Sequence, residues 1–377
     1  MGGITATSMV RQRRKFKPRA RTSRSLNLDS IGSNEEQRIQ PPLQDGDYWK
    51  IVPPLATRLY EKSALGQRHE DGSISLTASE VLFCHWHRHL PLPSDDWLLN
   101  ELEKNPRLIY EAIIMDVGRN GGEMIVPTEH RSEQDRLAWG VRWHRDRNHL
   151  KDNYQASVAI ATTHDELDWD ELLDWCQKTN LNGIDAELFV IDDELDVTMY
   201  KVDLIQPKGD LLSWNDLADV QQEQFLKDWM NRTPTESGSY VRHEHTWLWE
   251  QIGIEHMSGR ILRQEEEHYL QQMITKEQDV TPNSELMHDL YKRGLLLRPG
   301  FKYGCRWRVY DGDLNESHAP WLIQPRSESA TTWEGVCLSV RLAEGVHKQW
   351  VCAILNKEEW NYLRIQRWSP GKNSSVD

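Results

Sequence analysis

The sequence predicts a mixed α/β (α+β) fold made of tandem duplicated units. Two segments carry this prediction, because each occurs twice with matching apolar positions. The first is Trp139-Gly-Val-Arg-Trp143, which recurs as Tyr303-Gly-Cys-Arg-Trp307. The second is the run 186–200, which recurs as 349–363. Repeated segments at a fixed separation indicate a repeated structural unit, and 377 residues suffice for two units that each bury a core.

The first predicted unit, residues 46–207, begins with short strands and helices and ends in a strand-rich part. Thr77 is a suitable N-cap for a helix, and Glu80 three residues later completes a capping box. A later helical stretch is expected to break near Pro106, because proline removes a helical hydrogen bond. The predicted elements are a strand at 48–52, a helix at 54–62, a strand leading into a helix across 72–80, and a helical stretch at 98–113.

The second predicted unit divides at about residue 290. Its first part, 208–290, is expected to be helical from its apolar periodicity. Its second part, 291–369, alternates short apolar runs with turn residues, which is typical of a small mixed sheet with one helix. The predicted elements are strands at 295–297, 305–310, 321–324, 350–355 and 360–366, with a helix at 333–343.

The ends of the chain are predicted to lie outside these units. Residues 1–45 form a disordered basic arm, with its Lys and Arg concentrated between Arg11 and Arg24, and 370–377 form a short tail. The arm either holds phosphate groups without reading sequence or is simply a solvated tail.

Charge is distributed unevenly over a chain with a net charge of -14. Residues 135–203 contain 16 Asp and Glu against 7 Lys and Arg, whereas 289–377 contain 10 against 13. A polyanion is therefore expected to meet the second unit, and the acidic first unit is expected to dock on a basic surface of another subunit.

Cysteine usage and hydropathy indicate a cytoplasmic protein. The five cysteines are widely spaced and are interpreted as reduced core thiols. No apolar run approaches the roughly 18–20 residues that span a bilayer, so we expect no membrane contact. Cys84-His-Trp-His-Arg-His89 resembles a metal cluster, but Cys84, His85 and His87 cannot share one helix face, so no metal is expected there.

Four motifs follow one another in the second part of the second unit. They are Arg293-Gly-Leu-Leu-Leu-Arg-Pro-Gly-Phe-Lys-Tyr-Gly304, Arg308-Val-Tyr310, His318-Ala-Pro-Trp-Leu322 and a helix end running from Val340 to Lys348. In order and spacing they resemble the catalytic domain of archaeal tRNA-intron splicing endonucleases. The resemblance is sharp over 291–368, eroded over 46–205 and faint over 211–290. The two-repeat length resembles the homodimeric branch of the family.

The resemblance implies a fold and a reaction. Each unit would pair a small N-terminal subdomain with a mixed-sheet, restriction-endonuclease-like C-terminal subdomain. The protein would cut precursor tRNA at a bulge-helix-bulge junction without a metal ion or other cofactor, leaving a 2′,3′-cyclic phosphate and a 5′-hydroxyl. A separate RNA ligase would join the exons. Each chain of the homodimer would carry one inactive and one active unit.

Tyr310, His318 and Lys348 form the expected catalytic set, because RNA cleavage through the 2′-hydroxyl needs a proton acceptor, a proton donor and positive charge. His318 suits the general acid, since imidazole titrates near neutrality. Lys348 would stabilise the transition state. Tyr310 matches the family's base; either a nearby cation helps it to ionise, or it only orients the nucleophile. Superposition of the repeated segments places Asp146, Tyr154 and Asp185 opposite these three residues in the first unit.

The resemblance also implies RNA-binding and dimer contacts. Arg341 matches an arginine that stacks on a bulged base, and its partner matches Arg367 or Arg364, of which Arg367 is preferred. An acidic loop would insert into a basic groove of the opposite subunit; it consists of Asp192, Asp193, Glu194 and Asp196. The chain departs from the family pattern at Ala319, where serine is common, and at His347, where arginine is common.

Two other functions remain open at this point. A non-catalytic tRNA-binding or structural paralogue would share the fold, although the intact Tyr310, His318 and Lys348 set argues against it. A metal-dependent nuclease would need paired carboxylates near Lys348, and the strand before it offers none that fit clearly.

Overall fold

The computed structural model describes residues 39–131, 135–275, 281–312, 314 and 318–369. These residues form a mixed α+β fold, which confirms the predicted class. From residue 41 onward they belong to one compact unit. Most of the predicted basic arm, 1–38, lies outside the described residues. Its last three residues form the first strand rather than part of an arm.

A small antiparallel sheet and four helices build the beginning of the described chain. The sheet has the strand order β1-β2-β4-β3, and the break between α3 and α4 spans Pro106 as predicted. The elements are β1 (Leu43–Asp45), β2 (Tyr48–Ile51), α1 (Leu55–Ser63), β3 (Gln67–Arg68), β4 (Ile74–Leu76), α2 (Ala78–Arg88), α3 (Trp97–Lys104) and α4 (Leu108–Gly118).

The predicted capping box at the start of α2 is present, and its Glu80 also makes hydrogen bonds outside the helix that the sequence does not predict. Thr77 accepts from the Glu80 backbone N–H, and Glu80 accepts from the Thr77 backbone N–H at 2.9 Å. Glu80 is completely buried and also binds the Gly66 N–H at 2.8 Å and His130 Nε2 at 2.5 Å. One carboxylate therefore ties α2 to the bend before β3 and to the distant segment around residue 130.

The next part of the chain contributes five strands and one helix to a large sheet. They are β5 (Met124–Pro127), β6 (Ala138–Trp143), β7 (Ala156–Thr162), α5 (Trp169–Leu181), β8 (Asp185–Ile191) and β9 (Val197–Ile205). The last part of the chain contributes five more strands and one helix. They are β14 (Leu296–Pro299), β15 (Trp307–Tyr310), β16 (Trp321–Pro325), α9 (Trp333–Glu344), β17 (Gln349–Asn356) and β18 (Glu359–Trp368).

These ten strands form one sheet in the order β14-β15-β16-β17-β18-β9-β8-β7-β6-β5. Within each set of five, the only parallel pair is the one bridged by the helix, β7 with β8 and β16 with β17. The two sets meet through the antiparallel pair of β9 and β18. Helices α5 and α9 pack on one shared hydrophobic cluster. In this cluster the ring centres of Trp169 and Trp350 lie 6.0 Å apart.

Residues 208–290 contain a second small sheet, so the prediction that this part is helical is wrong for its middle. Gly238 has φ +146° and lies so close to the Leu262 carbonyl that no Cβ would fit, and the strands here are too short to show a clear alternation. The sheet has the order β10-β11-β13-β12. The elements are α6 (Asp219–Met230), β10 (Thr233–Thr235), β11 (Gly238–Arg242), β12 (Ile254–His256), β13 (Gly259–Arg263), α7 (Gln264–Thr275) and α8 (Pro282–Lys292).

The strand register corrects the superposition of the two repeated segments. The segment Trp139-Gly-Val-Arg-Trp143 lies within β6. By contrast, Tyr303-Gly-Cys-Arg-Trp307 lies mostly in the turn before β15. In the ladders, Trp143 pairs with Met124 at the start of β5, and Tyr310 pairs with Leu296 at the start of β14. Trp143 rather than Asp146 therefore occupies the position of Tyr310.

The same correction applies to the other two catalytic candidates. Strands β7 and β16 begin at Ala156 and Trp321, which pair with Asp185 and Gln349. Counting back from these pairs places Asn153 opposite His318 and Ile184 opposite Lys348, instead of Tyr154 and Asp185. The sequence match was misleading because its two glycines differ in role: Gly304 adopts φ +68° in a turn, whereas Gly140 is a strand residue.

Among the described residues, no helix combines the length and apolar character needed to cross a membrane.

We predict that Glu80→Gln lowers the free energy of unfolding by about 3 kcal/mol at pH 6, because it breaks a buried ion pair. Burial opposes the charged forms, but each partner offsets this: His130 lowers the pKa of Glu80, and Glu80 raises the pKa of His130. The pair is therefore strongest between the ordinary pKa values of the two groups, 4.5 and 6.5, and weakens as pH rises through the raised pKa of His130.

Urea unfolding at pH 6 and pH 9 measures this effect. The difference between wild type and Glu80→Gln should shrink at pH 9, and the exposed control Glu70→Gln should stay within about 0.5 kcal/mol of wild type at both values. Equal unfolding midpoints for Glu80→Gln and Glu70→Gln would contradict the assignment.

Candidate active site

The sheet topology brings Tyr310, His318 and Lys348 to one edge. Tyr310 is the last residue of β15, and His318 lies three residues before β16, its antiparallel neighbour. Lys348 immediately precedes β17, which runs parallel to β16. The end of β15 and the beginnings of β16 and β17 therefore coincide, although the three residues are far apart in sequence.

Ala319 is the residue on which this group converges. Lys348 Nζ donates to the Ala319 carbonyl at 2.7 Å, and the Gln349 N–H donates to the Pro320 carbonyl at 2.9 Å. Tyr310 and Ala319 belong to one small apolar cluster. His318 precedes Ala319 and is exposed. Since the contact uses a backbone carbonyl, alanine in place of the family's usual serine leaves it intact.

Tyr310 combines a buried ring with a nearby cation. The residue is 9% exposed and packs against Leu296. The Arg308 guanidinium lies 5.9 Å from the centre of its ring and 5.6 Å from that of Tyr303. Such distances suit cation–π contacts. Sequence reasoning named no partner arginine; the Arg308-Val-Tyr310 motif held the signal, because alternate residues of a strand share a face.

The end of α9 fixes the approach to Lys348. The Lys348 N–H donates to the Ala343 carbonyl at 3.0 Å, and His347 adopts the left-handed conformation at φ 55°. This pattern is a common way to terminate a helix. The helix end thus delivers the Lys348 backbone directly to the start of β17. His347, where the family commonly has arginine, is exposed.

Strand alternation separates the two candidates for the second stacking arginine. Leu363 and Ile365 of β18 pack in the hydrophobic cluster beneath α9, so Arg367 shares their face of the strand. Arg364 lies on the other face, where its guanidinium binds the Asp203 carboxylate at 2.9 and 2.5 Å. Arg341 and Arg367 line one groove of about 390 Å³, and Arg364 does not.

Comparison with known proteins identifies the region that carries this site. Residues 282–362 match the family model for the tRNA intron endonuclease catalytic C-terminal domain. The tRNA-splicing endonuclease of Thermoplasma volcanium is 25% identical over 214 residues, which cover 56% of this chain and 62% of that protein. That of Methanothermobacter thermautotrophicus is 38% identical over 74 residues, covering 19% of this chain and 44% of that protein.

The chain is similar in sequence to archaeal tRNA-splicing endonucleases. The resemblance to this family that the sequence motifs predict is therefore confirmed. A further relative, the tRNA-splicing endonuclease of Picrophilus torridus, is 25% identical over 190 residues, 50% of this chain and 58% of that protein. The chain thus spans less than two thirds of the length of these relatives. All three catalytic candidates lie inside the matched endonuclease domain.

The acidic loop joins β8 to β9 and is partly used within its own chain. Asp192 accepts from the backbone N–H groups of Glu194 and Asp196 at 3.0 and 2.9 Å, which holds the turn. Asp193 pairs with His164 at 2.9 Å. Asp193, Glu194 and Asp196 are exposed. Their negative charge is therefore available to a partner, whereas Asp192 shapes the loop.

The structure also brings together residues that are distant in the sequence and were assigned to separate roles. Asp192 and Asp196 line the same groove as Arg341 and Arg367, together with Tyr200 of β9. Tyr200 pairs with Arg367 in the ladder between β9 and β18. The groove therefore belongs to the endonuclease domain and the preceding five-stranded set jointly. No local sequence signal predicts it, because it depends on a strand pairing across more than 160 residues.

The histidine-rich segment of α2 does not form a cluster. Cys84 is fully buried, whereas His85 and His87 are exposed and bind the Leu90 carbonyl and Asp116 respectively. Among the described residues, no group of three or more His, Cys, Asp or Glu is placed to hold a metal ion.

We predict that Arg364→Ala lowers the free energy of unfolding by about 1 kcal/mol, since it removes a half-exposed, two-pronged ion pair to Asp203 between β18 and β9. Arg364→Lys should recover only part of this, because an ammonium cannot replace both hydrogen bonds. Thermal unfolding measures the effect, with the exposed Arg367→Ala as the control expected to match wild type. Equal losses from Arg364→Ala and Arg367→Ala would show that the Asp203 pair is not structural.

Proposed function

We propose that this protein is a tRNA-splicing endonuclease that cuts precursor tRNA at bulge-helix-bulge junctions by attack of the RNA's own 2′-hydroxyl. The observation that carries the proposal is the convergence of Tyr310, His318 and Lys348 around Ala319 at one sheet edge. The match of residues 282–362 to the catalytic domain of this family supports it. The fold would be two tandem units, each ending in a restriction-endonuclease-like sheet.

In the proposed reaction the 2′-oxygen attacks the adjacent phosphorus while the bond from phosphorus to the 5′-oxygen breaks. His318 is exposed and so can reach the departing oxygen, to which it gives a proton. The products are a 2′,3′-cyclic phosphate and a 5′-hydroxyl. The attacking group belongs to the substrate, so the reaction needs no cofactor, and a separate ligase would join the exons.

Lys348 and Tyr310 have complementary roles in this reaction. The Ala319 carbonyl fixes the Lys348 ammonium, so it is already positioned when negative charge develops on the phosphorane oxygens. Tyr310 lies at the end of β15 and either takes the 2′-hydroxyl proton or orients that hydroxyl. The Arg308 guanidinium lies 5.9 Å from the centre of the Tyr310 ring and helps to hold that ring in place.

Arg341 and Arg367 are proposed to hold a base from the bulge between their guanidinium planes. They line one groove, and both are exposed. Unpaired bases stack well on such planes. We assign the second position to Arg367 rather than to Arg364, whose guanidinium is bound to Asp203 on the other face of β18.

Each chain would contain one active and one inactive unit. In the first unit, Trp143, Asn153 and Ile184 occupy the strand positions of the three catalytic candidates. These three residues together include no cationic side chain. They therefore cannot supply both a proton donor and a fixed positive charge at the phosphate. Two chains would then place two equivalent active sites about a two-fold axis, as two cuts in a nearly symmetric junction require.

The first experiment is incubation of the protein with a bulge-helix-bulge precursor tRNA in EDTA. We expect two cuts that leave cyclic phosphate ends, and we expect His318→Ala to lower the cleavage rate at least 100-fold, since a general acid contributes about that much. His256→Ala, an exposed histidine of β12 outside the catalytic edge, is the matched control and should retain activity. Product ends are identified by mass spectrometry.

Other outcomes would point elsewhere. Binding of the RNA without cleavage would favour a tRNA-binding paralogue. Cleavage only after addition of a divalent ion would mean that the catalytic assignment is wrong. Equal activity of wild type and His318→Ala would remove His318 from the mechanism.

The homodimer can be tested through the acidic loop. We expect the wild-type chain to run at twice 44.2 kDa in size-exclusion chromatography with light scattering. Asp193→Asn/Glu194→Gln should shift it toward the monomer, since these carboxylates are exposed and would face a basic groove. The control Glu358→Gln/Glu359→Gln removes two charges from the corresponding hairpin between β17 and β18. A dimer unaffected by the loop variant would refute the docking role.

A further inference from the structure

A basic pocket of about 430 Å³ lies in the first half of the described chain, away from the proposed active site. It is formed where α1, α2 and α4 end and β5 begins. Four cations line it, namely Lys62, Arg88, Arg119 and Arg145. No function described so far uses this pocket.

Arg119 forms the fixed base of the pocket. Its guanidinium donates to three backbone carbonyls, those of Ser63 at 2.5 Å, Ala64 at 3.2 Å and Ile125 at 2.5 Å. Its Nε is buried and has no hydrogen-bond partner. Burial lowers the pKa of Arg119 to about 10, so the group stays charged at neutral pH. A rigid cation with an unused buried donor is suited to an anion.

The carboxylates at the pocket already have partners. Asp116 is paired with His87 at 3.1 Å, and Glu123, which is 2% exposed, is bound through one oxygen by the buried Arg142, while its other oxygen has no hydrogen-bond partner. By contrast, Lys62, Arg88 and Arg145 are exposed and form no ion pair within the described part of the chain. The pocket therefore carries net positive charge, in a half of the chain whose surrounding sequence is acidic.

The lining favours a phosphate over a nucleobase. The ring of Phe83 is 3% exposed, and the guanidinium groups of Arg88 and Arg119 lie 5.8 and 5.1 Å from its centre. This ring therefore has no free face on which a base could stack. Lys62, Arg88 and Arg145 extend from three different segments, an arrangement that can follow a backbone of successive phosphates without reading sequence.

We infer that this pocket binds the phosphodiester backbone of the RNA substrate at a second site, remote from the bond that is cut. The identity of the RNA rests on the proposed function; the anion chemistry does not. In the strand order, β15 and β5 are separated by eight steps, and about 4.8 Å per step gives roughly 38 Å between the two sites. The first half would thus hold an arm of the substrate while the second half cuts.

The test is RNA binding as a function of salt in the His318→Ala background, which prevents the proposed cleavage. We expect Lys62→Ala/Arg88→Ala/Arg145→Ala to weaken binding at least tenfold at low salt. It should also reduce the slope of log K against log salt by about two to three, since each lost phosphate contact lowers it by about 0.7–0.9. The control Arg58→Ala/Lys151→Ala/Lys208→Ala removes three exposed cations that do not line the pocket and should leave the slope unchanged.

A second measurement locates the contact directly. Acylation of lysines followed by mass spectrometry should show that bound RNA protects Lys62 but not Lys151. Equal slopes for the pocket and control variants, or no protection of Lys62 by an RNA that does bind, would overturn the inference. Protection by inorganic phosphate but not by RNA would identify a small-anion site instead, which also overturns it. Each of these results is independent of whether the wild type cleaves RNA.

Discussion

The pairing of β9 with β18 is the constraint on which the rest of the structure depends. It joins seven residue pairs, from Tyr362 with Ile205 to Trp368 with Met199, and turns two five-stranded sets into one sheet. Two backbone hydrogen bonds between the sets also hold this pairing in place. The Leu167 N–H donates to the Thr331 carbonyl, and the Trp333 N–H donates to the Asp165 carbonyl. The starts of α5 and α9 are therefore fixed by the opposite set.

This pairing also decides which side chains can cooperate. The groove with Arg341 and Arg367 includes Tyr200 because β18 lies beside β9. The proposed catalytic set, by contrast, depends on a shorter-range relation, the parallel alignment of β16 with β17 that brings Lys348 to Ala319. A change at the junction of the two sets should therefore disturb the groove before it disturbs the catalytic edge.

Local features were readable from the sequence, and long-range ones were not. The capping box of Thr77 and Glu80 and the break at Pro106 depend on residues a few positions apart, so propensity and capping rules predict them. The sheet within 208–290 was missed because its strands are short and pair across loops. The three catalytic candidates came from motif order, whereas the pairing of β9 with β18, and hence the groove, had no signal in any single segment.

The charge pattern gains meaning once the fold is known. A chain with net charge -14 should repel RNA at long range. At physiological salt, however, screening limits such repulsion to about 8 Å, so the local sign around each contact matters more than the total. The proposed catalytic edge holds the cations Arg308 and Lys348, the pocket at Arg119 is lined by four cations, and roughly 38 Å of sheet separates the two. If both sites bind RNA as proposed, an RNA that is long enough to reach both would gain two independent contacts, whereas a shorter one would gain only the first. On these two proposals, the sheet would discriminate between RNAs by length and shape while most of the surface stays unfavourable to RNA.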